Sequence, residues 1–188
     1  MGAMTQLQPG CQIPVIDISG YREGDEAQTV AIAKELRDAC EAPGFFQIVG
    51  HGVSSNLRAA LLEELAKFYA LPMSTKQGLH RGKSKCLRGY ETVGEQKLEA
   101  GFSDQKEGFM IGPEFPNDAR FLQGPNQWPD EREAPGFRDV FMEYFKAIHG
   151  LSKTMFRLIA LSLELNENFF DDFVGSKDCA FGFHRFKP

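Results

Sequence analysis

The chain has 188 residues, 42% hydrophobic and 25% charged, with a formal net charge of -5. This composition excludes intrinsic disorder and fibrous repeats and fits an ordinary soluble globular unit. It offers no clustered basic field for nucleic-acid phosphates and no apolar run of bilayer length.

In chain order, residues 1–12 read as a disordered or cloning-derived tail. A first strand is predicted over Ile13 to Ile18, with Pro14 near its start. Val30, Ile32, Ala33, Leu36 and Ala39 recur at helical spacing and predict a helix from about Glu26 to Ala42, ended by Pro43-Gly44. Phe45 to Val49 is a short apolar run between glycines and predicts a buried strand. Ser54 or Ser55 can cap a helix carrying Leu57, Leu61, Leu65 and Phe68. Leu71-Pro72-Met73-Ser74 ends that helix, and Ser74 can open one further turn. The basic, Gly-containing segment from Gly78 to Lys85 is expected to be a mobile surface loop.

Strands are predicted at Tyr90 to Val93 and Gly108 to Ile111. Between Gly112 and Ala134 lies a Pro-, Asn-, Asp- and Gly-rich stretch longer than common connections, expected to be functional or mobile. The strongest amphipathic pattern runs from Phe137 to about Leu165 and predicts a long helix with a wide apolar stripe. A short helix over Asn168 to Phe173 and a strand over Ala180 to Phe186 complete an α+β pattern, without repeats or low-complexity tracts. A last strand of this kind presents an open edge that needs a neighbour.

His51, between two glycines at a strand-to-helix junction, reads as a turn residue with a hydrogen-bonded imidazole. His80 and His149 read as a solvated and a core-edge imidazole. Cys11, Cys40, Cys86 and Cys179 are too scattered for a Cys-x-x-Cys pair and predict free thiols in a reducing cytosol. A hydrolase triad finds no nucleophile elbow.

Four segments together resemble one family: Ile13-Pro14-Val15-Ile16-Asp17, Gly44-Phe45-Phe46-Gln47-Ile48-Val49-Gly50-His51-Gly52, Leu87-Arg88-Gly89-Tyr90, and Lys106-Glu107-Gly108-Phe109. Phe183-His184-Arg185-Phe186 continues the match. The chain is similar, from about Ile13 to Pro188, to the amino-terminal region of the isopenicillin N synthase-like iron(II)/2-oxoglutarate-dependent dioxygenases. The resemblance implies a helix and strand region packing on a double-stranded β-helix, or jelly-roll, core that is mostly absent here. It also implies oxidation of a small organic molecule by hydroxylation, desaturation or ring closure, while the cytoplasm is expected from the free thiols. Iron(II) and 2-oxoglutarate are the implied cofactors, although isopenicillin N synthase itself omits 2-oxoglutarate. Arg88 and Tyr90 fall where relatives place residues at the substrate mouth, and Phe186 where an aromatic lines the pocket. Lys106-Glu107 matches a strand with paired charges, so Glu107 is read as structural.

The family holds its metal by two His and a carboxylate, the first His and the acid one residue apart. None of His51, His80, His149 or His184 begins a His-x-Asp or His-x-Glu, and no Arg is followed two residues later by Ser. The chain alone is therefore expected to bind neither iron nor 2-oxoglutarate, to be inactive, and to need a missing carboxy-terminal half as partner. A non-catalytic interaction module derived from the same family is the competing reading.

Overall fold

A computed structural model describes residues 12–21, 26–97, 101–116 and 122–174, and the backbone of 181–186. The elements are β1 (Val15–Asp17), α1 (Glu26–Glu41), β2 (Gln47–Val49), α2 (Ser55–Ala70), α3 (Met73–Gly78), a 3-10 turn (Arg81–Lys83), β3 (Gly89–Glu91), β4 (Lys106–Ile111), α4 (Phe137–Ser162), α5 (Asp171–Val174) and β5 (Phe181–Phe186). Two compact units divide them, Met1–Val53 with Ile148–Gly175 and Ser54–Ala147 with Ser176–Pro188. The expected tail lies almost wholly outside the described residues. Among the described residues no helix is long and apolar enough to cross a membrane.

In the first unit, β1 and β2 pair in parallel with Ile16 opposite Ile48. Ile16 and Ile18 join Ile32, Leu36 and Ala39 of α1 and Leu158 of α4 in one core cluster, with Phe46, Ile48, Leu151 and Met155 against it. Val30 stays 64% exposed, because two residues of helix rotate it about 200° away from Ile32. The expectation of a buried strand at Phe45 to Val49 is corrected. Exposure alternates along it, with Phe46 and Ile48 turned inward while Phe45 and Val49 remain 65% and 44% exposed. A strand with one covered face buries only every second side chain.

Helix α4 ends at Ser162, three residues before the expected Leu165. Glu164 takes a left-handed φ of 61°, and the Leu165 amide donates to Ala160 O at 2.9 Å, the pattern that closes helix carboxyl ends. Arg157 then fixes α5 through two bonds to Asp171, Nε to Oδ1 at 3.1 Å and Nη2 to Oδ2 at 2.9 Å. The guanidinium holds the Asp171 carboxyl below its ordinary range.

In the second unit, Ser54 Oγ accepts from Leu57 N at 3.4 Å and caps α2. α3 begins at Met73, before Ser74, with Pro72 at its N-cap position and no side-chain capping bond. The sheet runs β3-β4-β5, antiparallel throughout, with Tyr90 opposite Phe109 and Phe109 opposite Phe183. Phe68, fully buried, meets Phe109 at 4.8 Å and Phe137 at 5.1 Å between ring centroids, and Phe137 stacks on Phe141 at 4.1 Å. The aromatic residues of this cluster thus form a core that mixes edge-to-face and stacked rings.

Beside that core lies a buried polar cluster. Lys76 Nζ donates to Tyr69 O at 3.0 Å and to Glu107 Oε2 at 3.1 Å, and Tyr90 OH donates to the same oxygen at 2.7 Å. Lys76 is 5% and Glu107 1% exposed. Glu107 is thus structural, although its partner is Lys76 of α3 and not the neighbouring Lys106, which reaches Asp104 at 3.7 Å.

Phe68→Ala should cost about 3–5 kcal/mol in urea unfolding, as a cavity at the centre of the aromatic core demands. Lys76→Met should cost a similar ~3–5 kcal/mol because it strands a buried carboxylate, and Lys76→Met combined with Glu107→Leu should recover much of that loss. Equal stability of the single and double variants would contradict this account. Asp171 has a depressed folded pKa, so its stabilisation is present above the ordinary carboxylate value and lost as pH falls through the folded one. The Tm gap between the natural chain and Asp171→Asn should therefore narrow on acidification.

Candidate functional site

The residues expected near substrate converge on β3 and its neighbours. Arg88 precedes β3 and is 2% exposed; its Nη1 donates to Ile111 O at 3.0 Å and its Nη2 to Leu122 O at 3.4 Å. Gly112 lies against the guanidinium so closely that any side chain there would collide with it. Tyr90 is fully buried, with its hydroxyl committed to Glu107. Phe186 sits opposite Lys106 at the end of β5, described by its backbone pairing alone. Arg88 just before β3 and Tyr90 within it thus both have their polar ends turned into the chain.

β3 is buried along its whole length. Glu91, 1% exposed, accepts from Gln96 Nε2 at 2.8 Å and pairs with Arg81 Nη1 at 3.0 Å. The segment expected to be a mobile loop is instead built around a 3-10 turn. His80 Nδ1 caps it by accepting from Gly82 N at 3.1 Å, while Nε2 faces Glu95 Oε2 at 3.1 Å. Burial raises the Glu95 carboxyl, but the Thr92 amide, His80 and Arg81 outweigh it and hold the group below its usual range. His51 Nδ1 likewise accepts from Val53 N at 3.1 Å in its glycine-flanked turn, and His149 Nε2 lies 3.4 Å from Val174 O.

The stretch after Gly112 is anchored by side chains that imitate backbone. Asn126 Nδ2 donates to Gly112 O at 2.7 Å and its Oδ1 accepts from Gly112 N at 2.9 Å. Gln127 Nε2 reaches Arg88 O at 2.6 Å and the carbonyls of Leu79 and His80 at 3.2 Å. Glu114 Oε1 accepts from Trp128 Nε1 at 2.6 Å. Between residues 83–86 and 123–127 opens a cavity of about 220 Å³, and neither Arg88 nor Tyr90 lines it. It is smaller than the roughly 300–1,000 Å³ of most small-molecule pockets. Cys86, a free buried thiol in its wall, reaches Pro125 O at 3.5 Å.

Sequence reasoning did not single out Lys76, Glu91, Asn126 or Gln127, whose partners lie up to 48 positions away. No local periodicity signals them. Among the described residues no group of three His, Cys, Asp or Glu side chains is placed to hold a metal ion. With no His-x-Asp or His-x-Glu in the sequence, no chemical step is derived through a metal on this chain.

Comparison with known proteins gives this arrangement a family. The model of the non-haem dioxygenase in morphine synthesis, N-terminal, matches residues 13–131. A 2-oxoglutarate-Fe(II) type oxidoreductase of Emericella nidulans is 36% identical over 166 residues, covering 84% of this chain and 48% of the relative. A clavatol oxidase of Penicillium crustosum is 35% identical over 182 residues, covering 87% of this chain and 54% of the relative. A full-length Neurospora crassa protein, solved in complex with alpha-KG, superposes with a TM-score of 0.77 at 27% identity over 92% of this chain and 54% of that one. The chain therefore spans about half the length of the curated relatives it matches. It belongs to the iron(II)/2-oxoglutarate-dependent dioxygenases, as their amino-terminal non-haem dioxygenase region.

Proposed function

We propose that this chain is the amino-terminal part of a longer iron(II)/2-oxoglutarate-dependent dioxygenase that hydroxylates, desaturates or ring-closes a small organic molecule in the cytoplasm. The observation that carries the reading is coverage: relatives at 35–36% identity match nearly all of this chain with only about half of their own length. The metal ligands and the jelly-roll core belong, in this reading, to the remaining half. Iron(II) with 2-oxoglutarate supplies the oxidising chemistry there, and the protein contributes position and exclusion of water.

This chain's part is to shape the substrate mouth. Arg88 ties β4 to the segment at Leu122, and Tyr90 ties β3 to Glu107, so both act on substrate by fixing the walls around it. Phe186, lacking a hydroxyl, offers an apolar contact. The competing interaction module would use the same fold without chemistry.

The deciding experiment is the intact mass of the natural polypeptide together with succinate formation from 2-oxoglutarate. A mass well above 21.0 kDa with iron-dependent succinate is expected. A mass of 21.0 kDa would overturn the enzyme in favour of the module. Residues 1–188 alone should show no stoichiometric iron(II) binding by calorimetry, and tight one-to-one binding would contradict the placement of the metal in the other half.

A further inference from the structure

Lys76, His80, Arg81, Lys83 and Lys85 follow one another closely along α3 and the turn after it. Carboxylates answer the first three. Lys76 pairs with Glu107 at 3.1 Å, His80 faces Glu95 at 3.1 Å, and Arg81 meets Glu91 at 3.0 Å. Lys83 and Lys85 differ: among the described residues neither meets a carboxylate, and the bond made by Lys83 Nζ goes to Gly78 O at 3.3 Å. In a chain of net charge -5, two neighbouring cations without an acid beside them form a local exception to the overall field.

These two lysines both line the cavity of about 220 Å³ between residues 83–86 and 123–127, and among the described residues no acidic side chain lines it. The facing wall is neutral and held in place, with the Asn126 amide committed to Gly112 and the Gln127 amide to three carbonyls. Ser84 Oγ, also in the lining, accepts from Cys86 N at 3.3 Å, which leaves its hydroxyl hydrogen for Cys86 Sγ at 3.1 Å or for a ligand oxygen. Arg88 adds positive charge nearby: it donates to the carbonyl of Leu122, the residue before the facing wall, and among the described residues it meets no carboxylate. A cleft lined by one sign of charge between low-dielectric walls concentrates the field on what enters it. Leu87 and Leu122, which flank the two walls, take left-handed φ values of 56° and 61°, a conformation that costs a leucine energy and gathers at functional sites.

We propose that this cavity binds a small phosphate-bearing ligand, with the phosphate held by Lys83, Ser84 and Lys85. Lysine acts on phosphate as a point charge, whereas paired recognition of a carboxylate favours the planar fork of arginine. Both cations of the lining come from the 83–86 side, and the 123–127 side supplies none. The site therefore matches a ligand charged at one end and neutral at the other, and not a dicarboxylate charged at both. A volume below the roughly 300–1,000 Å³ of most small-molecule pockets restricts the neutral part to a short organic body or to none. Neither Arg88 nor Tyr90 lines the cavity, so the phosphate site stands apart from the substrate mouth proposed above.

The test is calorimetric titration of the full encoded polypeptide with glycerol 3-phosphate and with inorganic phosphate, each against chloride at the same ionic strength. N-ethylmaleimide alkylation of Cys86, read by peptide mass spectrometry, reports occupancy from inside the cavity wall. We expect saturable one-to-one binding that slows alkylation of Cys86 and leaves the exposed Cys40 unaffected. Lys83→Gln/Lys85→Gln, which alters two exposed side chains, should keep the ligand-free Tm and weaken binding about tenfold or more, as expected when charge-assisted hydrogen bonds are lost. Lys34→Gln, at a lysine already paired with Asp38, should leave binding unchanged. Tighter binding of glycerol 3-phosphate supports the site with a phosphate monoester as ligand, and equal binding of inorganic phosphate supports it with the free anion. Heat no different from chloride, binding that survives the double variant, or binding without protection of Cys86 would each overturn the site. Succinate bound in preference to both phosphates would overturn the ligand class.

Discussion

The second unit depends on one buried carboxylate. Glu107 sits in the middle strand of β3-β4-β5, 1% exposed, where an uncompensated charge would cost several kcal/mol. Lys76 and Tyr90 both meet its Oε2, so α3, β3 and β4 are held to one another by a single oxygen. Hydrogen bonding strengthens in a low-dielectric interior, and the same low dielectric makes any vacancy expensive. The pairing therefore narrows the choice of register: a slip of β4 by one residue would turn Glu107 to the other face and bring Lys106 or Gly108 into its place. An apolar core alone would tolerate such a slip more readily than this cluster does.

The same constraint explains the order of the segment between α3 and β3. Lys76 places the end of α3, and Tyr90 N donates to Leu79 O at 2.8 Å immediately after it. Residues 80–88 must then close a loop between two fixed ends. His80 caps the turn inside it, Arg81 reaches Glu91, and Gln127 gathers the carbonyls of Leu79, His80 and Arg88. Backbone carbonyls at both ends of the loop thereby find a partner, as buried backbone requires. Composition suggested mobility, because Gly, Arg and Lys make up five of the eight residues from Gly78 to Lys85, but composition is blind to carbonyls satisfied from about 40 positions away and more.

Legibility from sequence followed the range of the forces. Helices α1, α2 and α4 were readable because their apolar spacing is local, and the cap of α2 was readable to within Ser54 or Ser55 because its partner is three residues on from Ser54. β4 was recognisable by its residues and came out longer, starting at Lys106. The burial of Phe45 was misjudged since an apolar run does not say how many faces a sheet will cover. Lys76 was invisible for the opposite reason. A lysine in a Ser-Thr-Lys-Gln sequence looks solvated, and only the tertiary approach of Glu107, 31 positions later, makes its burial sustainable.

Arg88 shows how a residue type can suggest one role and a geometry define another. A guanidinium that grips a carboxylate from solvent must present two parallel N–H groups. In this chain Nη1 and Nη2 are committed to carbonyls from two separate segments, Ile111 and Leu122. Nε is buried with no hydrogen-bond partner among the described residues, a cost that an exposed arginine would not bear. Gly112 follows from this arrangement, because any side chain there would displace the fork. Lysine could not substitute, having a single point of charge where two carbonyls in different directions must be bridged. The arginine thus sets the spacing between the end of β4 and the segment that follows it.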